Sequence, residues 1–329
     1  MVQYNEVVGH EDEIQFLKNS IAAGKVSHSY ILTGEAGVGK KMLATTFAAA
    51  LQCEKGGPEP CMSCDSCKKA VGSNHPDIIT VHHEKPNVIT ADEVRTQIVN
   101  DVVIRPYKGP YKVYLVPDAQ MMGETAQNIL LKTIEEPPAY AVILLLTTSI
   151  DALLPTIQSR CVRLDIKLVD EKKIKEYLTA HLGLTDEEAD LDAALAQGSI
   201  GKACEAAVSE DFKEMTHSVV QILRTVDERR EYEMADMVRL LSADRQKALE
   251  YLEIFQFWFR DVLMFKATRE IDHLVFKQEI NYIREQARER SYENLEKINE
   301  CLEKTRVRIQ ANANAQIAIE LLFLTIRER

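Results

Sequence analysis

No stretch of the chain approaches the ~18 consecutive apolar residues that a membrane-spanning helix needs, so a transmembrane role is not expected. The opening MVQYNEVVGHEDEIQ lacks a basic patch followed by an apolar one, which reads as a protein kept in the cytoplasm. An excess of basic charge is missing too: 40 Lys and Arg stand against 51 Asp and Glu, a formal net charge of −11. Tight binding to a nucleic-acid backbone relies on clustered cations that displace counterions, so strong DNA binding by this chain alone is disfavoured. There is no low-complexity tract and no internal repeat, and 46% hydrophobic with 28% charged residues excludes a disordered polymer. A disulfide framework is not expected either. The seven cysteines are odd in number, no export signal accompanies them, and four fall between positions 53 and 67, a clustering that favours a metal site.

What is present divides into two kinds of pattern. At 329 residues the chain exceeds the ~100–200 of one typical domain. Up to about residue 168, short β-branched runs alternate with helical stretches, the mark of an α/β unit with a parallel sheet covered by helices. Strands are expected at 29–33, 77–81, 112–116, 141–148 and 161–164, with helices at 11–23, 40–51, 91–103 and 126–136. The runs VYLV and VILLLTT are apolar on consecutive residues, as in strands buried on both faces. From Asp170 onward apolar residues recur at spacings of three and four, so that half reads as all helix, with a small block at 169–208 and a larger one at 209–329. In the latter, Leu249, Leu252, Phe255 or Phe259, Val262 and Phe265 form one apolar stripe, and Ile317, Leu321 and Leu324 another.

Directly after the strand SYILT comes GEAGVGKK, residues Gly34 to Lys41, opening onto a helix. Gly34, Gly37 and Gly39 let the backbone wrap with its N–H groups inward, the helix N-terminus adds its positive end, and Lys40 reaches toward terminal phosphates. A working loop of this type ends in Ser or Thr, whose hydroxyl holds magnesium. Here the position is Lys41, which only donates and repels a cation. The strand VYLV then runs into Pro117, Asp118 and Ala119, where a hydrolysing enzyme of this class places Asp followed by Glu. Asp118 is able to face a metal, but Ala119 cannot orient a water. Hydrolysis of ATP is therefore not expected. Two readings of the loop remain open: ATP or ADP held without turnover, or an empty structural loop.

Cys53, Cys61, Cys64 and Cys67 give C-x7-C-x2-C-x2-C, with Gly56, Gly57, Pro58 and Pro60 supplying the turns. Four thiolates make a closed tetrahedral zinc site with a structural role. C-x-x-C alone also suits redox chemistry, but no thioredoxin pattern surrounds it. His75 reads as a turn or cap residue, and Cys161, Cys204 and Cys301 as small buried hydrophobes.

The run LLKTIEEPP (residues 130–138), the strand ending in Thr147 and Thr148, and then Ser159, Arg160 and Cys161 resemble bacterial clamp-loader subunits. Val8–Gly9–His10 and the closing QANANAQIAIELL extend the resemblance along the chain. It implies an AAA+ type nucleotide-binding core (1–168) with an inserted zinc module (53–67), a helical lid (169–208) and a helical collar (209–329). It also implies that Arg160 acts as a finger on ATP bound by a neighbouring subunit, and that the first sensor is Thr147 or Thr148. Motor subunits of the family carry a sensing Arg near a Gly-Ser turn, where this chain has Gly198, Ser199, Ile200, Gly201 and Lys202. Gly201 takes the Arg position, a third loss that points to the delta-prime type over the ATP-hydrolysing gamma or tau motor. Implied partners are gamma/tau and delta subunits in a hetero-oligomeric ring, with the sliding clamp and primed DNA met through that complex. A stand-alone zinc module that binds nucleic acid is the rival the acidic charge opposes. The aromatic segment FQFWFRDVLMFK is expected to pack rather than stack on bases, and the acidic run 185–192 to cap and solvate a helix.

Overall fold

The computed structural model describes residues 3–85, 87–226 and 231–328. The chain divides into two compact units, Met1–Tyr177 with Gln197–Lys202, and Leu178–Ala196 with Ala203–Arg329. The stretch 169–208, expected as a separate lid, is shared between them.

Among the described residues the first unit holds one five-stranded sheet: β1 (Ser29–Thr33), β2 (Ile78–Thr80), β3 (Lys112–Val116), β4 (Ala141–Thr147) and β5 (Val162–Asp165). The order is β2-β3-β4-β1-β5, with every neighbouring pair parallel. Parallel strands require crossovers, and these run through α2 (Lys40–Leu51), α3 (Asp65–Val71), α4 (Ala91–Val94), α5 (Glu124–Glu135) and α6 (Pro155–Gln158), whereas α1 (Glu11–Ala22) precedes β1. Because successive strand residues point to opposite faces, Tyr30, Leu32, Val113, Leu115 and Leu144 pack with Phe47 of α2 on one side. Ile31, Tyr114, Val116, Ile143 and Leu145 meet Leu130 of α5 on the other. This is why the central strands read as unbroken apolar runs.

The helix expected at 91–103 stops early. Thr90 and Glu93 form a capping box at its start, but after Val94 the backbone widens into a π turn at Arg95–Val99, where the Asn100 N–H reaches the Arg95 carbonyl at 2.8 Å. The segment that follows is tied to β3. Buried Lys112 donates to the carbonyls of Asp101 (2.8 Å) and Ile104 (3.2 Å), and the Tyr114 hydroxyl donates to the Asp101 carboxylate at 2.8 Å. These bonds hold the turn at 101–104 against β3.

Past α7 (Glu171–Leu182), the second unit is helical: α8 (Asp186–Leu195), α9 (Ile200–Val208), α10 (Glu210–Thr225), α11 (Glu231–Leu241), α12 (Arg245–Thr268), α13 (Ile280–Glu289), α14 (Tyr292–Gln310) and α15 (Ala315–Arg327). Its core centres on α12, where Phe255, Trp258, Phe259 and Val262 are buried against Leu295, Ile298 and Phe323. Each such side chain contributes about 1.5–3 kcal/mol of transfer free energy. Trp258 also donates its indole N–H to Gln286 at 2.9 Å, so the aromatic segment is packed and has no face left for bases. The expected stripe on α15 turns out to face away from this core. Ile317, Leu321 and Leu324 are exposed, while Ala318, Ile319, Leu322, Phe323 and Ile326 are buried. Both faces of α15 are apolar, so spacing alone does not tell which one packs. The acidic run does cap α8, through Thr185 and Glu188, yet Asp192 at its end is buried. No described helix is long and apolar enough to cross a membrane.

Candidate functional site

The glycine loop joins β1 to α2. Gly34 lies so close to the chain after β5 that a Cβ there would come 2.2 Å from the Ile166 carbonyl oxygen. Lys40 turns back on the loop itself, donating to the carbonyls of Gly34 (2.6 Å) and Glu35 (2.7 Å). Burial lowers the pKa of this ammonium, while the carboxylates of Asp118 and Glu35 oppose that shift. Asp118, in a left-handed turn after β3, thus acts on Lys40 through space. His10 ties the loop from below: its Nε2 lies 2.9 Å from the Val38 carbonyl. That anchor was not read from the sequence, where His10 figured only in the family likeness.

A second segment closes over the loop. Ser199 donates its hydroxyl to the Ala36 carbonyl at 2.9 Å, and the Gly201 N–H donates to the Gly37 carbonyl at 2.8 Å. At Gly37, with φ of 77°, a Cβ would sit 2.3 Å from Ser199 Oγ. At Gly201 one would sit 2.9 Å from both Cα and O of Gly37. These two glycines are what allow the approach, since Cβ contacts under 3 Å force something to move. The arrangement has no room for an arginine side chain at 201. Ala119 is fully buried among apolar side chains, so a carboxylate there would be desolvated without a partner. Lys41 is exposed. Thr147 spends its hydroxyl on the Ser149 carbonyl at 2.8 Å, whereas Thr148 is exposed.

Arg160 follows α6 and is half exposed. Its Nε lies 3.0 Å from Glu135 Oε1, and Nη1 donates to the Thr156 carbonyl (3.0 Å) and to Ser159 Oγ (3.1 Å). The two motif segments that carry the family likeness therefore meet in one ion pair. These contacts of Arg160 are with α5, α6 and the residue after it.

The four cysteines converge, with Sγ atoms all within 4.8 Å of one another. Ligands ~2.3 Å from a central zinc ion fit such a cluster. Cys64 caps α3 by accepting the Cys67 N–H at 3.3 Å, and Cys61 accepts from the Cys64 N–H and the Ser63 hydroxyl, both at 3.4 Å. The bonds from Ser63 and Cys64 pull the Cys61 thiol down to about 5, favouring the thiolate a metal requires. His75 stays outside the cluster: its Nδ1 accepts the Asp77 N–H at 3.1 Å and its Nε2 lies 2.7 Å from Ser66 Oγ. Sequence reasoning missed Asp77, whose buried carboxylate accepts the N–H groups of Tyr107 (2.5 Å), Lys108 (2.7 Å) and Gly109 (3.1 Å). Lys108 in turn pairs with Asp65 of α3 and with Glu54, which fastens the cysteine module to this turn.

A family model described as DNA polymerase III, delta subunit, matches residues 9–170. The DNA polymerase III subunit tau/gamma of Haemophilus influenzae is 34% identical over 228 residues, covering 66% of this chain and 32% of that protein. The chain thus spans about a third of that relative's length. The delta' subunit of Bacillus subtilis is 26% identical over 325 residues, 96% of this chain and 95% of that one. Among solved structures, a DNA polymerase III gamma subunit-related protein of Thermotoga maritima shares the fold, with TM-score 0.53 at 20% identity over 97% of this chain and 99% of the other. Sheet order, glycine loop and relatives agree: the chain belongs to the clamp-loader subunit family of bacterial DNA polymerase III.

Proposed function

We propose that the chain is a delta-prime-type subunit that does not hydrolyse ATP and lends Arg160 to a neighbour's nucleotide site. The observation that carries this reading is the turn at 199–201 seated on the glycine loop, with Gly201 against Gly37. Lys41 and Ala119 add to it, because neither holds magnesium nor orients a water. A guanidinium supplied from next door stabilises the charge that develops on a transferring phosphoryl group, so a subunit without turnover still serves the assembly. The fit to the Bacillus delta' subunit over almost its whole length supports the type.

The helical unit acts as a collar that joins gamma/tau and delta subunits in a ring, and the exposed apolar face of Ile317, Leu321 and Leu324 supports that role. The ring opens the sliding clamp and sets it on primed DNA. Zinc at Cys53, Cys61, Cys64 and Cys67 is structural, and the described groups offer it no open position for chemistry. One observation favours a gamma/tau motor instead: the higher identity to the tau/gamma relative.

The test is Arg160→Ala in a loader reconstituted with gamma/tau and delta subunits. Lower ATP turnover with unchanged assembly mass is expected. Equal turnover in the variant removes the finger assignment.

A further inference from the structure

The second unit contains a cavity of about 860 Å³ that the loader reading leaves unused. That volume lies within the ~300–1,000 Å³ of small-molecule sites. Its lining is mixed: Leu191 and Leu195 from α8, Phe212 and Val220 from α10, and Val275 with Phe276 form an apolar side, and polar and charged residues form the rest. Most charges around it are already matched. Arg224 grips the Glu279 carboxylate with two nitrogens. Lys277 lies 3.7 Å from Asp190, Gln278 donates to Glu187 at 3.0 Å, and Glu188 is held in the capping box with Thr185.

Two inward groups are left over. The Thr216 hydroxyl, on a residue 7% exposed, has no hydrogen-bond partner. The Asp192 carboxyl, equally buried, makes no hydrogen bond or ion pair among the described residues. Lys213 on α10 is near enough to influence it, but that ammonium's one ion pair is with Glu210 at 4.0 Å. A buried hydroxyl without a partner costs the fold stability, and burial around Asp192 disfavours its charged form. Both line a cavity that has an apolar side, the arrangement of a binding site before its ligand arrives.

We propose that this cavity binds an organic cation, an ammonium or guanidinium on an apolar stem, with Asp192 receiving the charge and Thr216 accepting an N–H. The apolar side of the cavity, with Leu191, Leu195, Phe212 and Val220, holds the stem. Burial pushes the Asp192 carboxyl up to about 6, against the effect of Lys213 and with that of Glu188, and an incoming cation restores the ionised form. Two sources share this chemistry: a free aliphatic amine and a basic side chain of a partner subunit.

The experiment is calorimetric titration of the full chain with n-hexylamine and with 1-hexanol as its uncharged counterpart, repeated on Asp192→Asn and Thr216→Val. Saturable binding of the amine, at least tenfold weaker in Asp192→Asn, several-fold weaker in Thr216→Val and absent for the alcohol, supports the site. Equal binding by wild type and Asp192→Asn, equal binding of amine and alcohol, or no amine binding by the wild type overturns it. Asp192→Asn removes a costly buried charge, so loss of binding there does not reflect misfolding, which a thermal melt verifies. Repeating the titration on the reconstituted loader separates the sources: amine binding retained in the assembly identifies a free amine, and amine binding abolished there identifies a partner's side chain.

Discussion

Replacing Gly201 with arginine restores the guanidinium that motor subunits carry, at the expense of the close approach that glycine permits. The new Cβ would lie 2.9 Å from the backbone of Gly37, closer than the turn tolerates. The turn must lift, breaking the Ser199 to Ala36 and Gly201 to Gly37 hydrogen bonds. At a net value of ~1 kcal/mol each, the loss is about 2 kcal/mol. For a unit of this size that lowers the melting temperature by about 4–8 °C. Far-UV circular dichroism of wild type, Gly201→Arg and Lys202→Arg provides the comparison. Lys202 is exposed and only its backbone N–H is used, at 3.4 Å from Ser199 Oγ, so that control should melt with the wild type. Hydrogen exchange then localises the effect, with faster exchange expected at the Gly201 amide and its surroundings. A Gly201→Arg chain that melts with the wild type and keeps the turn protected refutes the close packing of the 199–201 turn on the glycine loop.

Chelation of zinc should release α3, because the Cys64 cap and the turn at Cys61 are built around the four thiols. One zinc per chain by atomic emission, and loss of helical signal on adding a strong chelator, are the expected results, whereas a metal-free chain with four freely reactive thiols and full helicity contradicts them. Asp192→Asn should change how stability depends on pH. An acid raised from 3.8 to about 6 on folding contributes most stability below about 4, and that contribution declines as pH rises through 6. The amide lacks this slope, so the variant should gain on the wild type by roughly 1–2 kcal/mol between pH 4 and 7 after allowing for solvent screening. Urea melts at both pH values check it, and an equal offset at the two would argue against a buried carboxyl.

The sheet was legible because β1, β3 and β4 are apolar residue after residue, a pattern few other elements share. The glycine loop and the cysteine cluster were legible because their chemistry is local, with ligands and turns a few positions apart. What escaped were long-range claims on local groups. Lys112 and Tyr114 tie residues 101 and 104 to β3 just past the π turn, and no pattern within 91–103 announces it. Ser199 reaches Ala36 across 163 positions, so the sequence showed a missing arginine at 201 but not that the place itself is filled. On α15 two apolar faces compete, and only packing against α14 and α11 chooses between them. Asp192 reads as part of a solvated acidic run, yet the fold buries it.

The most direct test of the central claim is the rate of ATP hydrolysis by the purified chain with magnesium and no other subunit. Release of phosphate at the buffer rate is the expected result. Magnesium-dependent turnover abolished by Lys40→Ala would contradict it, and would make this chain a motor.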